Sequence, residues 1–122
     1  MDIHGVHDWN VVVRNFVDTY DPRSNEDAAR LAFQSSPMAH LDGWRSPVLV
    51  IHGDDDRNVP FSETVTLVGE LRRRNVELEQ LIFPDEIHGF LLHRRWIQVF
   101  EASADFLERK LGVKPAGTTS QK

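Results

Sequence analysis

Three consecutive carboxylates, Asp54, Asp55 and Asp56, follow the apolar run Pro47-Val-Leu-Val-Ile51 and the dipeptide His52-Gly53. Like charges this close repel, so at least one of them needs a partner elsewhere in the chain. His88, in the stretch Pro84-Asp-Glu-Ile-His-Gly-Phe90, is the natural one. A carboxylate that accepts the proton of one imidazole nitrogen fixes the tautomer and orientation of the ring. The other nitrogen is then free to take a proton from a hydroxyl. The chemistry in view is therefore activation of a nucleophile by an acid–histidine relay.

The elements that must position these groups can be read from periodicity. Residues 47–51 are apolar on both faces and β-branched, the pattern of a buried parallel strand. Ser62 is placed to cap the next helix, ETVTLVGELRRR, in which Val65, Val68 and Leu71 repeat at helical spacing. Asn75 can end that helix, and VELEQLIFP then reads as a second strand. After the loop DEIHGF comes a long amphipathic helix whose buried stripe is read as Trp96, Val99, Phe100, Phe106, Leu107 and Leu111. Strand, helix, strand and helix make a right-handed parallel βαβ unit with one more helix. Open α/β sheets place chemistry beyond the carboxyl ends of their strands. Both polar clusters fall there, and adjacent strands about 4.8 Å apart would let the two loops meet.

Upstream, Asp8 can cap a helix through WNVVVRNFVDTY, although its three valines suit a strand equally. DPRSN (21–25) is a turn cluster, Glu26 to Gln34 a helix with Ala29, Leu31, Ala32 and Phe33 as its apolar content, and SSPMAHLDGW a loop. The end, GVKPAGTTSQK, is small, polar and expected to be disordered.

Composition excludes several classes. The 122 residues carry a net charge of −5, with 40% hydrophobic and 27% charged residues and no cysteine. That suits one globular domain and leaves no disulfide, thiolate nucleophile or cysteine-based zinc site. Arg72, Arg73 and Arg74 complement a helix C-terminus rather than form a nucleic-acid footprint. No apolar run approaches the roughly 20 residues of a membrane span, and MDIHGVHDW is not a signal peptide. A cytoplasmic location is the default, although a segment of a longer secreted chain would look the same. No cofactor or metal is expected. His4 and His7 are a weak pair without H-E-x-x-H. Asp54, Asp56 and Asn58 mimic the start of a calcium loop, but Val59 and Val65 stand where that loop needs Gly and Glu. His52 is expected to hold the strand-end turn through a backbone hydrogen bond, and Asp54 and Asp55 to be solvated.

PVLVIHGDDDRNVPFSET followed by FPDEIHGF resembles the C-terminal part of the prolyl oligopeptidase family of serine peptidases. The family's pattern runs His-Gly, two residues, Asp, two residues and Val-Pro, then an acidic residue near His-Gly. The resemblance implies an α/β-hydrolase fold, here its C-terminal half, with a short parallel sheet flanked by helices over residues 1–112 and a disordered tail over 113–122. It implies that Asp56 is the acid and His88 the base of a Ser-Asp-His triad, in the chain order of that fold. Asn58 and Val59 match positions near the family's substrate pocket, and equally suit a turn before Pro60. Trp9 and Val12 would line the specificity pocket, or simply pack in the core.

The G-x-S-x-G nucleophile elbow is absent from this sequence. The resemblance then implies the last half of a catalytic domain: two full strands plus a stub at Asp2–His4, inactive alone. Its substrates in the parent enzyme would be peptides of limited length. A carboxylesterase or dienelactone-hydrolase-like enzyme is the runner-up. A different reading is a non-catalytic remnant that assembles with a complementary N-terminal half, or with itself, through an open sheet edge.

Overall fold

The computed structural model describes residues 1–112, so the expectation of a disordered 113–122 tail lies outside the described residues. Its elements in chain order are β1 (Asp2–Ile3), α1 (Trp9–Phe16), α2 (Glu26–Gln34), a 3-10 helix (Pro37–Gly43), β2 (Val48–Gly53), α3 (Ser62–Arg73), β3 (Leu78–Phe83) and α4 (His93–Leu111). The three strands form one parallel sheet in the order β1-β2-β3.

β2 is the centre of the molecule, and all six of its residues are buried. It starts at Val48 rather than Pro47 because proline has no N–H for the ladder, and Val48 N donates to Glu77 O at 3.0 Å. It also runs two residues further than expected, through His52 and Gly53, which pair with Ile82 and Phe83 of β3. Successive side chains point to opposite faces. Val48 and Val50 join Leu41, Leu67, Val68 and Leu71 on one face, while Leu49 and Ile51 join Phe83, Phe90, Val99 and Phe106 on the other. Both faces of β2 are covered, which accounts for the unbroken apolar run. Each such side chain contributes about 1.5–3 kcal/mol relative to exposure.

The helices follow the expected order with local corrections. α1 forms as a helix, and the Asp8 side chain caps it by accepting from Asn10 N at 2.9 Å. Ser62 does not cap α3; it is the first helical residue, and the N-cap position is held by Phe61 without a side-chain bond. The buried face of α3 is Glu63, Thr64, Leu67, Val68 and Leu71, with Val65 turned outward. Asn75 ends the helix in the left-handed region at φ 56, and Val76 N returns to Leu71 O at 3.0 Å, the usual way a non-glycine residue closes a helix. The predicted loop 35–44 contains the 3-10 helix, which buries Leu41.

On α4 the stripe needs correcting. Val99, Ser103 and Phe106 are buried and Trp96 packs beside them, whereas Phe100, Leu107 and Leu111 are exposed. Ser103, not Phe100, continues the 3.6-residue period. Its hydroxyl donates to Val99 O at 2.6 Å, so the polar side chain is satisfied in the core. Ile97, Phe100, Leu107 and Leu111 then form a second, outward apolar row.

Candidate active site

Asp56 and His88 meet at the carboxyl ends of β2 and β3. His88 Nδ1 lies 2.7 Å from Asp56 Oδ2. A carboxylate only accepts, so Nδ1 carries a proton, and in the neutral ring Nε2 is then the nitrogen with the free lone pair. The His88 ring is about one-third exposed and the Asp56 carboxylate is fully buried.

The Asp56 carboxylate has four hydrogen-bond donors. Oδ1 accepts from Asn58 N and Val59 N, both at 2.9 Å. Oδ2 accepts from His88 and also from His52 Nε2 at 3.0 Å. Burial alone would raise the Asp56 pKa. Hydrogen bonds from the Val59 N–H, His88, the Asn58 N–H and His52 outweigh it and hold the carboxyl below the usual carboxylate range. His52 Nε2 also reaches Val59 O at 3.1 Å, and His52 Nδ1 lies 2.7 Å from Thr64 Oγ1. In the neutral ring Nε2 therefore donates, and the Thr64 hydroxyl donates to Nδ1. The backbone bond expected of His52 is present, but its bond to Asp56 was not foreseen.

Asp54 and Asp55 stay outside this network. Asp54 is exposed and accepts from Asp85 N at 2.8 Å. Asp55 faces Arg57 at the surface. The crowding at 54–56 is thus resolved by sending one carboxylate inward and two outward.

The loop carrying His88 is clamped from several sides. Glu86, buried, accepts from Leu91 N at 2.8 Å and meets Arg95 Nε at 3.3 Å. Trp96 Nε1 donates to Gly89 O at 3.1 Å and Phe90 O at 3.2 Å. Asp55 N donates to Glu86 O at 3.2 Å, tying the acid's loop to the base's loop. Gly53 makes this approach possible, because a Cβ there would stand 2.2 Å from Glu86 O. Phe90 turns at φ 39 with its ring buried, a left-handed conformation that costs roughly 1–3 kcal/mol for a bulky residue.

His4 lies beside the pair and was not anticipated there. Its ring centroid is 4.0 Å from that of His88 and 5.3 Å from that of Phe90. It too has a positive φ, 39, and its N–H bonds Ile51 O at 2.8 Å. Burial first, then the neighbouring His88, holds its pKa below the usual histidine value. His7 is placed differently. Its Nε2 is 3.0 Å from Asp2 Oδ2, and its N–H and that of Asp8 donate to the buried Glu63 carboxylate at 2.6 and 2.8 Å. Burial alone would lower the His7 pKa, but Asp2 and Glu63 reverse this and raise it.

The four candidate substrate-binding residues divide. Asn58 and Val59 are held against Asp56 by their own N–H groups, Asn58 exposed and Val59 buried. Trp9 and Val12 sit one turn apart on α1, Trp9 exposed and Val12 buried. The hydrogen bonds of α1 to other segments run to Ala29, Tyr20 and Ser36 rather than to Asp56 or His88. A groove of about 520 Å³ lies at the opposite end of the sheet, lined by Trp44, Pro47, Arg74 and Val76 among others. Among the described residues no helix is long and apolar enough to cross a membrane.

A parallel sheet covered on both faces, with an acid and a histidine on adjacent strand ends, places this chain among α/β-hydrolase folds. It belongs to the prolyl oligopeptidase family, whose model matches residues 1–114. It is similar to acylamino-acid-releasing enzyme 2 of Oryza sativa subsp. japonica, 39% identical over 62 residues that make up 51% of this chain and 8% of that protein. It is also 30% identical over 110 residues, 88% of this chain, to the probable dipeptidyl-aminopeptidase B of Arthroderma gypseum, of which they make up 12%. Among solved structures, a puromycin-hydrolysing peptidase of Mycobacterium tuberculosis superposes on 94% of this chain and 18% of its own, with TM-score 0.79 at 25% identity. The chain thus spans about a tenth of the length of these curated relatives.

Proposed function

We propose that Asp56 and His88 are the acid and base of a serine-peptidase triad whose nucleophile lies on polypeptide other than these 122 residues. The observation that carries this reading is the 2.7 Å bond from His88 Nδ1 to an Asp56 carboxylate already fixed by three other donors. In that role the serine attacks a peptide carbonyl, His88 Nε2 takes the hydroxyl proton and returns it to the leaving amine, and Asp56 orients the ring. Asn58, Val59, Trp9 and Val12 are the proposed substrate-side residues. Names of the relatives support short peptides, acylated or free at the amino end, as substrates.

These 122 residues alone should be inactive, because neither the serine elbow nor the oxyanion donors next to it are in the sequence. The test has two arms. The chain should neither hydrolyse aminoacyl or dipeptidyl chromogenic substrates nor label with a fluorophosphonate; stoichiometric labelling of one of its serines would overturn the reading. In a longer chain that carries the elbow, Asp56→Asn should lower kcat by about 10⁴-fold by leaving the wrong histidine tautomer, and Asp54→Asn should change it little.

A second reading, a non-catalytic unit that works by assembly, is favoured by one feature. The outward row Ile97, Phe100, Leu107 and Leu111 on α4 is a long apolar face for a protein of this size. Its test is co-expression with the N-terminal half of a relative's catalytic domain, with recovery of activity separating the two readings.

A further inference from the structure

His4 turns the acid–histidine pair into a three-ligand cluster. One ring nitrogen of His4, one of His88 and one carboxylate oxygen of Asp56 all lie within 4.8 Å of one another. In the sequence His4 and His7 are only a weak pair, and the fold separates them: His7 is engaged by Asp2 and Glu63. His4 Nδ1 is buried and makes no hydrogen bond, an unusual state for a polar atom in a folded protein.

We propose that His4, Asp56 and His88 bind one zinc-class divalent cation. Two imidazoles and one carboxylate are a donor set for zinc or cobalt, whereas calcium and magnesium require oxygen ligands. Tetrahedral ligands at about 2.0–2.2 Å from the metal stand roughly 3.3 Å apart, so the rings must shift to take up that spacing, and the proton His88 now gives to Asp56 is released to solvent when the ion binds. The His88 ring, one-third exposed at a strand end, has room to do so, and the same exposure leaves a fourth coordination position to water. Asp56 would keep its two backbone donors and His52 on the carboxylate, which orient it toward a metal as they orient it toward His88. Binding does not depend on the peptidase reading. Its consequence does: a bound ion would occupy the acid and base and withdraw them from proton transfer, so zinc would act as a reversible inhibitor of the triad.

The experiment is titration of the 122-residue chain with Zn²⁺ by calorimetry, and separately with Co²⁺ while recording visible absorption. The expected result is one ion per chain and an intense cobalt spectrum of a low-coordinate site. His4→Asn and His88→Asn should each weaken binding roughly tenfold or more, while His40→Asn and His93→Asn, at surface histidines outside the cluster, should leave it unchanged. Far-UV circular dichroism checks that each variant is folded. If a variant is not, the cobalt spectrum of the unmodified chain decides, since ions scattered over surface carboxylates give only the weak octahedral spectrum. Absence of stoichiometric binding, an octahedral spectrum, or affinity indifferent to His4→Asn in a folded variant would each overturn the proposal.

Discussion

The two helices that flank the sheet's carboxyl end differ sharply from the two that precede it. α3 buries five residues and α4 three, and between them they seal both faces of β2. α1 buries only Val12 and α2 buries nothing, while Trp9, Phe16, Val17, Leu31 and Phe33 are exposed. Both pairs have amphipathic sequences. The difference is whether a surface is present to receive the apolar face. Segment 46–111, with Leu41 from the 3-10 helix, covers both faces of β2 and holds Asp56 and His88, while α4 keeps its outward row; segment 9–34 presents apolar side chains and buries only Val12.

The largest effect should come from the centre of the closed region. Asp56→Ala would leave the buried Val59 N–H without its acceptor, His52 Nε2 with only Val59 O and His88 Nδ1 without its carboxylate, a loss of roughly 3–5 kcal/mol. Urea unfolding would measure it, and Asp54→Ala should shift the midpoint little by comparison. Leu49→Ala should cost about 2–5 kcal/mol by opening a cavity, while Leu31→Ala on the exposed face of α2 should stay within about 0.5 kcal/mol. Equal losses from the two leucines would break the contrast between the regions. Gly53→Ala comes next, at about 1–3 kcal/mol for forcing the two strand-end loops apart. Its signature is loss of the low-field His88 Nδ1 proton in the NMR spectrum.

The smallest effects are in the pH dependence, and they should have opposite signs at Asp56 and at His7, which precedes α1. The Asp56 pKa is lowered by folding, so its contribution is present above the unfolded value of about 3.9 and is lost as pH falls through the folded value. The His7 pKa is raised, so its contribution is present below about 6.5 and is lost as pH rises through the folded value. Asp56→Asn should flatten the acid limb of the stability profile. His7→Gln should flatten the limb above about pH 6.5 and leave the acid limb alone.

Much of the closed region can be read in the sequence because local signals agree there. β-branched residues, apolar on both faces, fit only a covered strand, and Asn75 marks a helix end that the backbone respects, whereas the strand starts one residue after Pro47 and continues through His52-Gly53. Among the three aspartates, Asp56 is picked out in the sequence only by the resemblance to the family's pattern; that its side chain bonds the N–H groups of Asn58 and Val59 comes from the structure. What the sequence hides are the buried polar residues. Thr64 and Ser103 interrupt the apolar periodicity of α3 and α4 and are nonetheless buried, because the Thr64 hydroxyl bonds His52 and the Ser103 hydroxyl bonds Val99 O within its own helix. Glu63 and Glu86 are charged and yet buried, because Glu63 accepts the N–H groups of His7 and Asp8 from a distant segment and Glu86 accepts Leu91 N and meets Arg95. His4 could be placed beside His88 only once β1 was known to lie on the far side of β2.

The register of β2 against β3 also sets an order of events. The bonds from Asp56 to Asn58 and Val59 span two and three residues, and can form as soon as the strand-end turn does. The bond to His88 spans 32 residues and waits for the whole crossover through α3 to dock. Non-local pairings of this kind are slow compared with turns and helices. The His88 Nδ1 proton is therefore a clock for the final stage of folding: in a refolding experiment it should gain protection after the α3 amides, together with the β2–β3 ladder.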